Sequence, residues 1–319
     1  MPRKALLAVL AALCASAVLP AGASAQTTNV AVGIGDQAAS IFDNASFKAL
    51  RVKKVRYFIK WDAIDRPGDL AAADAYVARA RAARADVLMH ISSNNLTRKA
   101  AKLPSVATYR SKVRALIQRY RPRGVRSWGA MNEANHDSQP TWNNPRRAAQ
   151  FFLALRSMCS RCTIVALDVL DQAGVERYIN RFYAALGGRR SLAKIVGIHN
   201  YSDTNRYRDR GTRSIIRTVK RRNSRAQFWL TETGGVAKFG RSFPCNPSRP
   251  ATAEKRQAKA IRYMFTLTRR FRRDIKRLYI YNFSGADCQG RFDAGLVRSN
   301  GTPRPAYAEV RRAMRRFRR

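Results

Sequence analysis

Glu133 and Glu232 are the residues whose setting suggests chemistry. Each closes an apolar run. The first run is Trp128-Gly129-Ala130-Met131-Asn132-Glu133-Ala134-Asn135-His136, and the second is Gln227-Phe228-Trp229-Leu230-Thr231-Glu232-Thr233-Gly234-Gly235. A parallel barrel or open sheet keeps its reacting groups at the carboxyl ends of buried strands. Two carboxyl groups meeting there can divide the work, one ionised and the other protonated. The remaining glutamates, Glu176, Glu254 and Glu309, fall in amphipathic helical patterns, where a solvated carboxylate is the ordinary outcome.

The elements that must position this pair follow from periodicity. Short β-branched runs predict strands over 29–35, 53–59, 86–92, 125–132, 163–168, 194–199, 227–231 and 277–283. Between them, spacing of the 3.6-residue type predicts helices over 70–84, 105–120, 145–158, 175–186, 212–222, 251–271 and 305–317, with a short weak helix near 45–50. Eight such pairs in a chain of this length predict an α/β fold, a single (β/α)8 TIM barrel. An open doubly wound sheet is the rival. Gly33-Ile34-Gly35-Asp36 lacks the third glycine of a dinucleotide fingerprint, which favours the barrel. Glu133 then closes the fourth strand and Glu232 the seventh.

The same face should gather His90, His136 and His199, which are all the histidines of the chain, with Asp36, Asp62, Asn132, Asn135, Asp168, Tyr201 and Asn282. Trp61, Trp142 and Phe283 supply rings there, whereas Trp128 and Trp229 lie within strands and should pack the barrel. Acids and amides bind hydroxyl groups and rings stack on sugar C–H faces, so the set describes a carbohydrate site. No histidine has a paired ligand spacing, so neither a metal nor another cofactor is expected.

Residues 1–25 have the form of a secretory signal peptide: Arg3 and Lys4, an apolar run, then Ala23-Ser24-Ala25. Residues 26–319 then form the exported catalytic domain, expected to be a monomer without a membrane segment. Cys159 and Cys162 make a C-x-x-C at a helix end with no second pair to complete a zinc site, which points to a local disulfide. Cys245 and Cys288 pair by elimination and would tie two late loops together. The net charge is +42. Its arginines are spread over every predicted helix without an RNA-binding or zinc-finger element, so specific nucleic-acid binding is not expected. Solvated faces explain the charge, and adhesion to an anionic cell-wall polymer is the functional alternative.

With these residues placed, the chain resembles the clan A glycoside hydrolases, the (β/α)8 group of many cellulases, xylanases and β-glycosidases. That clan has Asn-Glu at the end of strand four as acid/base and a second glutamate at the end of strand seven as nucleophile. Asn132-Glu133 and Glu232 match both places. His199-Asn200-Tyr201 resembles the clan's tyrosine beside the nucleophile, Arg56 its arginine, and Gly295-Leu296 through Arg304-Pro305-Ala306-Tyr307 its closing segment. The resemblance implies a secreted retaining glycosidase acting on a poly- or oligosaccharide. Asn132, Asn135, His136, His199, Tyr201, Arg56, Trp61, Trp142 and Phe283 would serve the substrate. Ionised Glu232 would raise the pKa of Glu133. Two departures stand out: Ala134 where proline is common, and Phe283 where strand eight often carries a stacking tryptophan. A barrel that binds carbohydrate or wall polymer without turnover is the alternative.

Overall fold

The β-branched runs form a closed parallel barrel. The computed structural model describes residues 28–97 and 100–318, so the expected signal peptide lies outside the described residues. The barrel strands are β1 (Thr28–Gly35), β2 (Lys54–Lys60), β3 (Asp86–Ser92), β4 (Ser127–Gly129), β5 (Thr163–Leu170), β6 (Ile195–His199), β7 (Gln227–Thr233) and β9 (Ile275–Tyr281). Each pairs in parallel with the next, and β9 pairs back onto β1 to close the ring.

Around it lie α1 (Ala45–Leu50), α2 (Pro67–Ala82), α3 (Val106–Tyr120), α4 (Pro145–Met158), α5 (Val175–Leu186), the short α6 (Tyr201–Asn205), α7 (Arg210–Arg222), α8 (Ala251–Arg270) and α9 (Pro305–Ala313). Their starts have local causes. The Asn44 side chain accepts from the N–H groups of Ser46 and Phe47, Ser105 accepts from Thr108, and Asn144 accepts from Arg147 with Pro145 at the first helical position.

Three short pieces depart from the alternation. β8 (Lys238–Phe239) and β10 (Phe292–Asp293) form a small antiparallel ribbon joining the loops after β7 and β9. β11 (Phe317–Arg318) ends the helix expected to run to 317 and lies beside the start of β1.

The core has two parts. The main cluster lies between strands and helices and includes Trp128, Phe151, Phe152 and Tyr109. Leu88, Val165, Trp229 and Tyr279 form a smaller cluster within the ring, where the Arg277 guanidinium sits 3.9 Å over the Trp229 ring. Both tryptophans expected to pack the barrel do so.

Above that inner cluster the barrel interior is polar. Arg56, His90, Asp168, His199 and Thr231 are all buried. Two glycines make room for them. A Cβ at Gly129 would strike the His90 ring, and one at Gly197 would strike Asp168 and Thr231. Strand pairing also slips around β7. Gly197 and His199 of β6 face Trp229 and Glu232, and Leu278 and Ile280 of β9 face Leu230 and Thr233. β7 thus carries one residue more than either neighbour, a bulge. It lets the adjacent Thr231 and Glu232 both reach inward, which strict alternation forbids.

Both expected disulfides are present, Cys159–Cys162 and Cys245–Cys288. Among the described residues, no helix is long and apolar enough to cross a membrane.

Candidate active site

Glu133 and Glu232 meet at the carboxyl end of the barrel. One oxygen of each, together with a ring nitrogen of His199, lie within 4.8 Å of one another. Glu133 holds a left-handed backbone, φ 43°, which a non-glycine residue adopts only when its surroundings impose it. Those surroundings are Asp168: its backbone oxygen accepts from Ala134 N–H at 2.8 Å, and its Oδ2 from Glu133 N–H at 3.4 Å.

Glu232 is tightly held. The Arg56 Nη1 donates to its Oε2 at 2.7 Å, and Tyr201 O–H donates to its Oε1 at 3.0 Å. Arg56 also donates to the Asn132 side-chain oxygen and lies 3.7 Å from Asp168. Burial opposes the charge of Arg56, but Glu232, Asp168 and Glu133 outweigh it and raise its pKa. Tyr201 stays protonated because burial, and then Glu232, push its hydroxyl pKa well up.

His199 bridges the two sides. Its Nε2 lies 2.8 Å from Asp168 Oδ2 and its Nδ1 3.0 Å from Glu133 Oε1. Burial disfavours the imidazolium, but Asp168 and Glu232 overcome this and lift its pKa to about 10. Held doubly protonated, His199 can donate to both carboxylates. The expected direction for Glu133 is therefore corrected. Burial alone would raise it, yet the hydrogen bond and charge of His199 bring it below the ordinary glutamate value. Glu232 moves the other way, pushed up by burial against the pull of His199 and Arg56. The Glu133–His199–Glu232 spacing is also one a cation would accept. Both His199 nitrogens are occupied by carboxylates, and Arg56 already brings a buried positive charge, so the donor set suits proton transfer better than metal binding.

Other expected site residues divide. Asn132, His136 and Tyr201 line the same cavity, of about 450 Å³, as Glu133 and Glu232. Asn135 does not serve it: its amide clamps Leu170, accepting from the N–H at 2.9 Å and donating to the C=O at 3.2 Å. Trp142 borders a neighbouring cavity with Asn135, Arg177 and Arg181. Trp61 is buried in the main core. Phe283 is also turned inward, 5.4 Å edge-to-face from Phe47, because Asp36 accepts from the N–H groups of Phe283 and Ser284 and pins that segment. Neither ring can stack on a substrate. The rings that face the cavity are Phe58, Phe239, Phe243, Tyr281 and Phe292. Sequence reasoning missed them. Tyr281, two residues before Phe283 on the same run, was the available signal.

Asp171 sits on the cavity edge. Burial, set against the Asp203 and Ser202 N–H groups that it accepts, moves its pKa to about 7.

No protein-family model matches the chain, and no curated protein matches it. Solved structures do. A GH10 endoxylanase from a sugarcane soil metagenome superposes at TM-score 0.64 with 15% identity, covering 89% of this chain and 96% of that one. Xylanase XynB from Paenibacillus barcinonensis gives 0.66 and 14%, covering 88% and 95%. A family 39 glycoside hydrolase from Bacteroides cellulosilyticus gives 0.60 and 12%, covering 90% of this chain and 63% of that one. The likeness is one of fold. This chain has the (β/α)8 barrel of those glycoside hydrolases along nearly its whole described length.

Proposed function

We propose that this protein is a retaining glycoside hydrolase that cleaves an O-glycosidic bond of a poly- or oligosaccharide, with Glu232 as nucleophile and Glu133 as acid/base. The observation that carries the reading is the carboxylate separation. Retaining enzymes hold the two groups about 5–5.5 Å apart, whereas inverting enzymes leave roughly 6.5–9.5 Å for a water. One oxygen of Glu133 within 4.8 Å of one of Glu232 favours the first class. The barrel shared with xylanases and a family 39 enzyme supports the same reading by analogy.

In the first step a Glu232 oxygen bonds to the anomeric carbon as the glycosidic C–O bond breaks, and the departing oxygen takes a proton from Glu133. Arg56 and Tyr201 orient the nucleophile through the bonds described above. Asn132, anchored by Arg56, faces the sugar hydroxyl adjacent to the reacting carbon. That leaves Glu133 ionised, a state the contact with His199 favours. In the second step Glu133 removes a proton from water, which attacks the same carbon and frees Glu232 with the original configuration restored.

Residues 26–319 are the working domain on this reading, exported after loss of residues 1–25 and active as a monomer. The two disulfides agree with an oxidising compartment. The excess of arginine favours one second reading, a carbohydrate- or wall-polymer-binding barrel without turnover. One experiment separates them: reducing-sugar release by the mature protein over plant, fungal and bacterial polysaccharides, beside Glu232→Gln. Release by the parent alone supports the enzyme. Silence with retained polymer binding replaces it with the binding reading.

A further inference from the structure

The cavity around Glu133 and Glu232 is walled by rings that form one continuous path. Phe239, 44% exposed at the rim, meets Phe292 edge-to-face at 5.9 Å. Phe292 meets Tyr201 at 5.5 Å and Tyr281 at 6.1 Å, and Tyr281 meets Phe58 at 6.4 Å. Tyr201 ends the path on Glu232, to which its hydroxyl donates. A further ring, Phe243, lies under the Arg206 guanidinium at 5.3 Å.

Polar side chains beside this wall are largely committed elsewhere. Asn205 donates to the carbonyls of Tyr201 and Gly234 and accepts from Val236 N–H. Asp171 accepts from two backbone N–H groups, and Ser138 is bonded to His136 at 2.8 Å. A sugar can lay a C–H face on one such ring, but hydroxyls turned toward the wall would lose water without gaining partners, which costs free energy. An apolar group would gain from the same burial.

The wall is also fixed in place. Phe292 and Phe239 face each other across the β8–β10 ribbon, and Cys245–Cys288 ties the same two loops. Asp293, next to Phe292, is bonded twice at 2.8 Å by buried Arg304.

Resting on the retaining-glycosidase reading, we propose that the saccharide cleaved here carries an aromatic or aliphatic group beside the scissile bond, and that the Phe239–Phe292–Tyr281 wall binds that group.

The test uses methyl and octyl glycosides of glucose, xylose, mannose and galactose with the mature protein. Both leaving groups are simple primary alcohols, so any preference for octyl reports binding of the chain and not easier bond breaking. On the sugar that is cleaved, kcat/KM for octyl should exceed that for methyl by about tenfold or more. Phe239→Ala, a change at an exposed ring that spares the core, and Phe292→Leu should each shrink that ratio at least about threefold. A parent ratio near one overturns the proposal, as does a ratio that both variants leave intact. If the parent cleaves none of the glycosides, the enzymatic reading fails, and calorimetric binding decides the wall separately. Octyl binding tighter than methyl, and lost in Phe239→Ala, upholds the wall. Equal binding overturns it.

Discussion

His199 places one ring nitrogen 3.0 Å from Glu133 and the other 2.8 Å from Asp168, so a single imidazole connects the proposed acid to a fully buried carboxylate. The charge and hydrogen bond of His199 favour the ionised form of Glu133 and hold that carboxyl below the ordinary glutamate value. His199 itself keeps both ring protons until pH climbs toward about 10. In His199→Asn that pull is gone, and burial raises the Glu133 pKa without it. We expect the basic limb of the kcat/KM profile to move to higher pH, and an unmoved limb would remove His199 from the proton path.

The same histidine links stability to alkali. Its folded pKa, about 10, lies above the unfolded value near 6.5. Its contribution is therefore complete below pH 6.5 and is lost as pH rises through 10. His90 has the opposite sign: burial drives it down to about 3, so its neutral form loses stability as pH falls from 6.5 toward 3. Urea midpoints should decline between pH 7 and 10, and the decline should be shallower in His199→Asn.

Glu133→Gln should separate substrates by leaving group. Alkyl glycosides and oligosaccharides need a proton on the departing oxygen and should lose roughly 10²–10⁴-fold in rate. Activated aryl glycosides should lose far less in the bond-breaking step. Steady-state and burst measurements on both kinds check this, and equal losses in bond breaking would count against the acid role.

Gly197→Ala tests the polar interior without touching a reacting group. The added methyl group has no space beside Asp168 and Thr231. We expect a cost of about 1–3 kcal/mol or more by denaturant unfolding. A fall in kcat should accompany it, because Asp168 orients His199. A neutral result in both would mean the strand shifts freely.

The two disulfides should differ in weight. Cys245–Cys288 spans 43 residues and Cys159–Cys162 three. Loop-closure entropy then assigns about 4 kcal/mol to the first and about half that to the second. Paired serine variants, compared by thermal and denaturant unfolding, check the order. Reversal would show that local geometry dominates.

The barrel was legible because its signals are local. Periodicity placed α4 and α5 at their observed ends and every barrel strand within a few residues, except β4, read over 125–132 but paired only over Ser127–Gly129. Glu133 and Glu232 were legible as strand-tip carboxylates, and Tyr201 and Arg56 do contact Glu232. The aromatic assignments failed for a physical reason. Which way a ring points at a strand end depends on partners distant in sequence: Asp36 turns Phe283 into the core from 247 residues away. The bulge in β7 was equally hidden, since one surplus residue is defined only against its neighbouring strands. Phe239 and Phe292 belong to a ribbon of two-residue strands, too short for any periodicity to announce.

That ribbon has a thermodynamic consequence. A flexible loop closing over a ligand loses freedom at the moment of binding, at about 0.5–1.5 kcal/mol for each side chain it immobilises. Here ladder, disulfide and Arg304 bonds have already restrained the loops when the chain folds. A group arriving at Phe239 and Phe292 meets a surface whose entropy is already spent, so more of its desolvation appears as affinity and the loops should exchange backbone hydrogens equally slowly whether the cavity is empty or full.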